Sequence, residues 1–282
     1  MNFEFDSFSR RMAEKYSKHF GVCADCIRSA DSFLESIEGL GIGAENFTAV
    51  QLAISANFFK VCNSLISAYF LADAGLVEDV KTMTRKIIDL TVNMKYLSLD
   101  SDKRAADYLA FEAIHRKTTL DRVRSGAIPT SAFVQSGFEC NASRIEAEYT
   151  TAIARYGQAS KDEIGLRKRS WSGKFFTQMA KEAGLQNYVV PYELFCSATH
   201  ADPGDIRTYW KEHDGKVGFV EEDDSIPSLL WTGSHAFVVY SEVLLAAFDL
   251  DPSPALEKIL VTLVQLDEDM ATSNEGESSQ NN

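Results

Sequence analysis

The sequence predicts an all-α protein: a multi-helix bundle with an N-terminal helical hairpin and a disordered acidic C-terminal tail. Three observations carry this. Apolar residues recur at three- and four-residue steps in most long windows, whereas strand-like alternation is almost absent. Only six prolines occur in 282 residues and none precedes Pro129, which permits long helices and argues against a many-turned β-sandwich. Capping and stop signals, finally, recur at helix-length intervals.

Taken in order, an amphipathic segment covers residues 5–20 and continues, past a break at Gly21, to Glu38, where the glycines at 39, 41 and 43 end it. These arms form the expected hairpin (1–45), packed on a main bundle (46–266) that precedes the tail (267–282). Thr48-Ala-Val-Gln51 is a capping box, in which hydroxyl and amide reciprocally satisfy free backbone N–H groups. The helix it opens runs to about Asp73 and stops at Gly75. The next, over residues 76–99, carries two apolar stripes. Leu76, Val80, Met83, Ile87, Leu90, Met94 and Leu97 form one; Ile88, Val92, Tyr96 and Leu99 form the other. A helix apolar on two sides belongs in the middle of a bundle, so this is the expected central helix.

Asp100 or Ser101 caps a helix over 102–124 that Gly126 closes. Ser143-Arg-Ile-Glu146 and Ser160-Lys-Asp-Glu163 are further capping boxes. Residues 173–183 form a short helix ending at Gly184, and 187–200 another, which accommodates Pro191 only in its first turn. Residues 201–226 are polar and irregular, with 216–220 as the plausible strand. A strongly apolar helix covers 228–248, and Ser253 followed by Pro254 starts the last one, to about Asp269. Beyond it a stretch rich in Ser, Asn, Glu and Gln lacks the apolar residues that would pay for order.

The net charge is −13, but five acids lie within 267–282 and four within 221–224. Without those nine the chain is near −4, which leaves room for a local basic face. Five scattered cysteines and an N-terminus with no basic-then-apolar pattern fit a reducing cytoplasm. No eighteen-residue apolar run occurs. The closest, over 52–72, is broken by Asn57, Lys60 and Asn63 and reads as a core helix, so no membrane association is expected.

Several constellations are candidates for chemistry. Gly39-Leu-Gly41-Ile-Gly43-Ala44 fits a loose dinucleotide pattern, but a helix rather than a strand precedes it, and a helix–helix loop accounts for it. Cys23-Ala-Asp-Cys26 lacks the second ligand pair that structural zinc needs and reads as small packed residues. Glu112-Ala-Ile-His115 has the spacing used in di-iron bundles but occurs once; a buried hydrogen-bonded pair is the plainer reading, and no metal or cofactor is expected. Arg85 and Asp89, four apart on the central helix, read as a structural ion pair or as a polar centre facing a pocket. Glu193, Ser197 and His200 share one helix face, which superficially resembles a hydrolytic triad; true triads draw their members from separate elements. Arg167, Lys168 and Arg169, with Trp171 and Lys174 close by, are either a solvated charge run or a site for a phosphate backbone and a stacked base.

Three segments together carry a resemblance. They are Arg85-Lys-Ile-Ile-Asp89 running into Lys95-Tyr-Leu-Ser-Leu-Asp100, then Arg104-Ala-Ala-Asp-Tyr108, and later Trp171-Ser-Gly-Lys174 with Tyr192 and Ser197-Ala-Thr-His200. Over about residues 50–210 the chain resembles a bacterial helical domain family of unknown function, similar in character to HEPN-type bundles. Many of those are ribonucleases of toxin and phage-defence systems with an R-x-x-x-x-H motif; here none of the five histidines has an Arg five positions earlier. The resemblance implies a polar centre of Arg85, Asp89, Glu112, His115, Ser197 and His200. In an enzyme it implies metal-independent RNA cleavage, with His200 as acid/base and Arg85 stabilising phosphate charge. The alternative is a non-catalytic scaffold with a protein partner or a second copy of itself.

Overall fold

The computed structural model describes residues 12–128, 130–155, 170–200, 211–213, 216–218 and 225–280. Its helices, in chain order, are α1 (Ser17–Glu38), α2 (Ala49–Asp73), α3 (Val77–Ser98), α4 (Ser101–Arg124), α5 (Ala132–Cys140), α6 (Ala142–Arg155), α7 (Phe176–Glu182), α8 (Val189–His200), α9 (Ile226–Ala247) and α10 (Pro254–Gln280). A small antiparallel ribbon pairs β1 (Lys211–His213) with β2 (Lys216–Gly218), Glu212 standing opposite Val217.

The two-striped α3 is the central helix. It packs against α2, α4, α7, α8 and α9, and Val80, Ile87, Ile88, Val92, Met94, Tyr96 and Leu97 are all buried. α9 is the other core element, lying against α1, α2, α3 and α10. Phe33 of α1, Phe58 of α2 and Phe237 of α9 meet with ring centroids 5.8–6.4 Å apart. Beside them the buried Tyr240 hydroxyl donates to the Ile54 carbonyl at 2.7 Å.

Local signals explain most boundaries. At the start of α2 the Thr48 hydroxyl accepts from Gln51 N at 3.3 Å, while the Gln51 side chain accepts from Thr48 N at 2.9 Å. Gly75, Gly126 and Gly184 follow their helices with φ of 70°, 73° and 72°, a left-handed conformation open to glycine. Pro191 falls in the first turn of α8, where its missing N–H is an orphan anyway.

Four boundaries differ from expectation. Gly21 lies inside α1, whose register is held by the buried Phe20, Val22, Cys23 and Cys26; the irregular turn is at Tyr16. The nine-residue α5 is too short to show periodicity. α6 begins at Ala142, so Ser143 is already helical, and Glu146 takes Arg124 as its partner at 2.7 Å. α10 extends to Gln280, past the expected end near Asp269, which pairs with Lys18 at 2.8 Å. The Ser160–Glu163 capping box and the 221–224 acidic run lie outside the described residues.

Candidate functional site

A cleft of about 600 Å³ opens between α2, α3, α4 and the loop carrying Trp171. Its walls are set by helical spacing. Asn57 and Lys60 stand three apart on α2, Asp89 and Asn93 four apart on α3, and Tyr108, Glu112 and His115 at steps of four and three on α4. Leu90, Leu109 and Phe111 supply apolar surface.

Two hydrogen-bond strings line it. In the first, Lys60 Nζ donates to Asn57 Oδ1 at 3.0 Å, and Asn57 Nδ2 donates to the Tyr108 hydroxyl at 2.9 Å and to the Ala53 carbonyl at 2.8 Å. Asn57 is buried, so its fixed amide makes the Tyr108 oxygen an acceptor and leaves the phenolic proton to point elsewhere. In the second, Trp171 Nε1 donates to Asn93 Oδ1 at 2.6 Å, and Asn93 Nδ2 donates to Asp89 Oδ1 at 3.3 Å. Trp171 packs edge-on against Tyr108, with centroids 5.3 Å apart, which joins the strings.

Burial holds the Asp89 carboxyl above its ordinary pKa; the Arg85 charge and the Asn93 hydrogen bond oppose this only in part. Burial also raises Tyr108, and the negative charges of Asp89 and Glu112 push the same way against the Asn57 hydrogen bond. Burial thus raises both a carboxyl and a phenol on one cleft.

Arg85 does not close onto Asp89. Its guanidinium donates to the Tyr192 hydroxyl of α8 at 3.3 Å and lies 5.0 Å from that ring's centroid, and Cys196, one turn on, also faces it. The expected polar centre thus divides. Asp89, Glu112 and His115 line the cleft, while Arg85, turned to Tyr192, acts on Asp89 through its charge. Glu112 and His115 are exposed at the rim rather than forming a buried pair, and Glu112 bonds Arg116 one turn away. Glu193 is exposed: Tyr192 and Cys196 face inward, and Glu193, a further 100° around, does not. The side chains of Ser197 and His200 lie outside those described, as do Arg167, Lys168 and Arg169.

Trp171 is drawn into the core, with 6 % of its surface exposed, and is not a free stacking platform. Lys174 pairs with Glu182 and stands 5.3 Å from the Tyr96 centroid. Arg104 covers that ring at 3.8 Å and donates to the Tyr96 carbonyl at 2.6 Å.

Sequence reading missed Asn57, Lys60, Asn93 and Cys196 as site residues. The first two had a signal, since they interrupt an otherwise apolar helix on one face. Asn93 had none: its role depends on Trp171, 78 residues away.

Asp89, Tyr108 and Trp171, which line the cleft, belong to the segments that carry the resemblance. A model of a family of unknown function, DUF5677, matches residues 51–217, more than half of the chain. The protein belongs to that family. All the described cleft residues lie within the DUF5677 match, whereas α1, α9 and α10, which complete the core around it, lie outside. No curated protein and no solved structure matches the chain. Among the described residues, no three His, Cys, Asp or Glu side chains converge as a metal-ligand set.

Proposed function

We propose that this DUF5677 protein is a cytoplasmic HEPN-like bundle of a bacterial defence or stress system that binds single-stranded RNA in the cleft. The composition of the lining supports this reading. Lys60 and His115 at the mouth suit a phosphate, Phe111 and Tyr108 suit the face of a base, and Asp89 with Tyr108 supplies an acceptor and a donor for a base edge. Unstacked bases are what RNA presents to such a pocket; a duplex would not enter it.

In this reading cleavage is metal-independent. The ribose 2′-oxygen attacks the adjacent phosphorus as His200 takes its proton, Arg85 turns from Tyr192 to the bound phosphate and stabilises the charge on phosphorus, and the 5′-oxygen leaves with a returned proton. A non-catalytic scaffold is the second reading, favoured by the exposed apolar face of α2.

Purified full-length protein incubated with total RNA and a chelator tests the proposal. The wild type is expected to retain and shorten RNA, His200→Ala and Arg85→Ala to retain without shortening, and Lys60→Ala to bind with a salt dependence reduced by about one ion. Identical RNA profiles for all folded variants would remove the nuclease, and no retention of RNA at 50 mM-scale salt would remove the RNA reading altogether.

A further inference from the structure

We propose that the outward face of α2 is the seam of a homodimer, occupied by α2 of a second copy of this chain. Along this face Leu52, Ala56, Phe59, Asn63, Ile66 and Phe70 follow one another at alternating four- and three-residue steps, the spacing of a coiled-coil seam. Leu52, Phe59 and Phe70 are 45, 54 and 65 % exposed, Ala56 and Asn63 are exposed, and Ile66 is partly so. The opposite face, through Ile54, Phe58, Val61, Leu65, Ala68 and Ala72, is already sealed against the core. The helix is thus apolar on both sides with an owner for one.

The area fits a dimer. At about 200 Å² for a fully exposed aromatic ring and a little less for leucine, the stripe presents about 400 Å² of apolar surface. A standard interface covers about 800 Å² per partner, somewhat over half of it apolar, or about 450–500 Å². The pattern is also self-complementary. An antiparallel copy sets Leu52 against Phe70, Ala56 against Ile66 and Phe59 against Asn63, each smaller side chain facing a larger one. A parallel copy stacks Phe70 on Phe70 and leaves a gap between the two alanines. A two-fold axis across the middle of α2 therefore gives an isologous, closed contact. Leu52 and Ala56 also line the cleft, so the second copy runs along its rim. The inference does not depend on RNA binding.

Sedimentation velocity on the full chain over about 1–100 µM reads the answer directly. The expected mass is twice 31.3 kDa. Phe59→Glu and Phe70→Glu, both at exposed positions, should keep the helical circular dichroism and weaken association at least about tenfold. A wild type that is monomeric throughout overturns the proposal, as does a dimer indifferent to both substitutions. A monomer that instead co-sediments with anionic lipid vesicles also overturns it and makes the face a membrane contact. In a Cys140→Ser background, an equimolar mixture of Leu52→Cys and Phe70→Cys chains should form a mixed disulfide; self-coupling of Phe70→Cys alone would overturn the antiparallel arrangement.

Discussion

Tyr188 and Tyr108 both place a phenol in the interior, yet their surroundings differ in one decisive respect. Tyr188 is almost fully buried and shares a hydrogen bond with His235 Nδ1; that imidazole stacks on Trp231, whose Nε1 donates to the Leu263 carbonyl at 2.9 Å. Here the phenol and the indole N–H each close on a protein partner. Tyr108 accepts at its oxygen from Asn57 and lines an open cleft that the Asp89 carboxyl also lines. Burial raises the pKa of both phenols, so a perturbed titration does not distinguish structure from function here. Hydrogen-bonding capacity left facing a cavity does.

The largest effect should come from breaking the closed region. Tyr188→Ala removes a buried ring and orphans His235, and is expected to cost about 3–5 kcal/mol in urea unfolding. Tyr108→Phe keeps the ring and should cost no more than about 1.5 kcal/mol while abolishing RNA retention. Equal stability losses for the two would erase the distinction. Next in size is Asn57→Ala. It removes the donor to Tyr108 and the acceptor for Lys60 from a buried position, and about 1–3 kcal/mol should be lost together with RNA retention.

Asp89→Asn should act in the opposite direction. Because burial lifts this carboxyl's pKa, the ionised form lowers stability above that pKa; an amide carries no such cost. A small rise in Tm combined with lost RNA retention is the expected result, the signature of a group kept for function. A fall in Tm would mean that the Arg85 charge and the Asn93 hydrogen bond outweigh burial, and Asp89 would then belong with Tyr188 as structure.

Much of the architecture was legible because it depends on local rules. The two stripes of α3, the Thr48 capping box and the first-turn Pro191 each follow from spacing or from one residue's chemistry, and all three stand as expected. Partner choice did not follow. Arg85 and Asp89 have the spacing of an ion pair, yet the guanidinium takes Tyr192, 107 residues away, which no local pattern encodes. Helical periodicity likewise places Glu193 and Ser197 on one face, but which face turns inward is decided by what packs against α8. The same limit hid the free side of α2: its composition passes for a core helix or a membrane span, and only the packing shows that 39 % of its apolar window is buried, against 72 % for α9.

Acid offers the gentlest probe of the closed region. Burial lowers the pKa of His235 below its ordinary 6.5, with Asp267 opposing, and of His19, with Lys18 adding and Asp269 opposing. A depressed imidazole pKa means that the unfolded chain takes up protons first, so stability falls as pH drops below about 6.5 and levels off once the folded histidines also titrate. Asp89 contributes with the opposite sign: protonation as pH falls through its raised pKa relieves a burial cost. Urea midpoints between about pH 7.5 and 5 should therefore decline in the wild type as the two imidazoles take up protons, and Asp89→Asn should remove the recovery expected where the carboxyl itself protonates. His235→Gln should flatten the curve. A wild-type midpoint that rises on acidification would place the cleft carboxyl, not the Tyr188 cluster, in control of the protein's acid response.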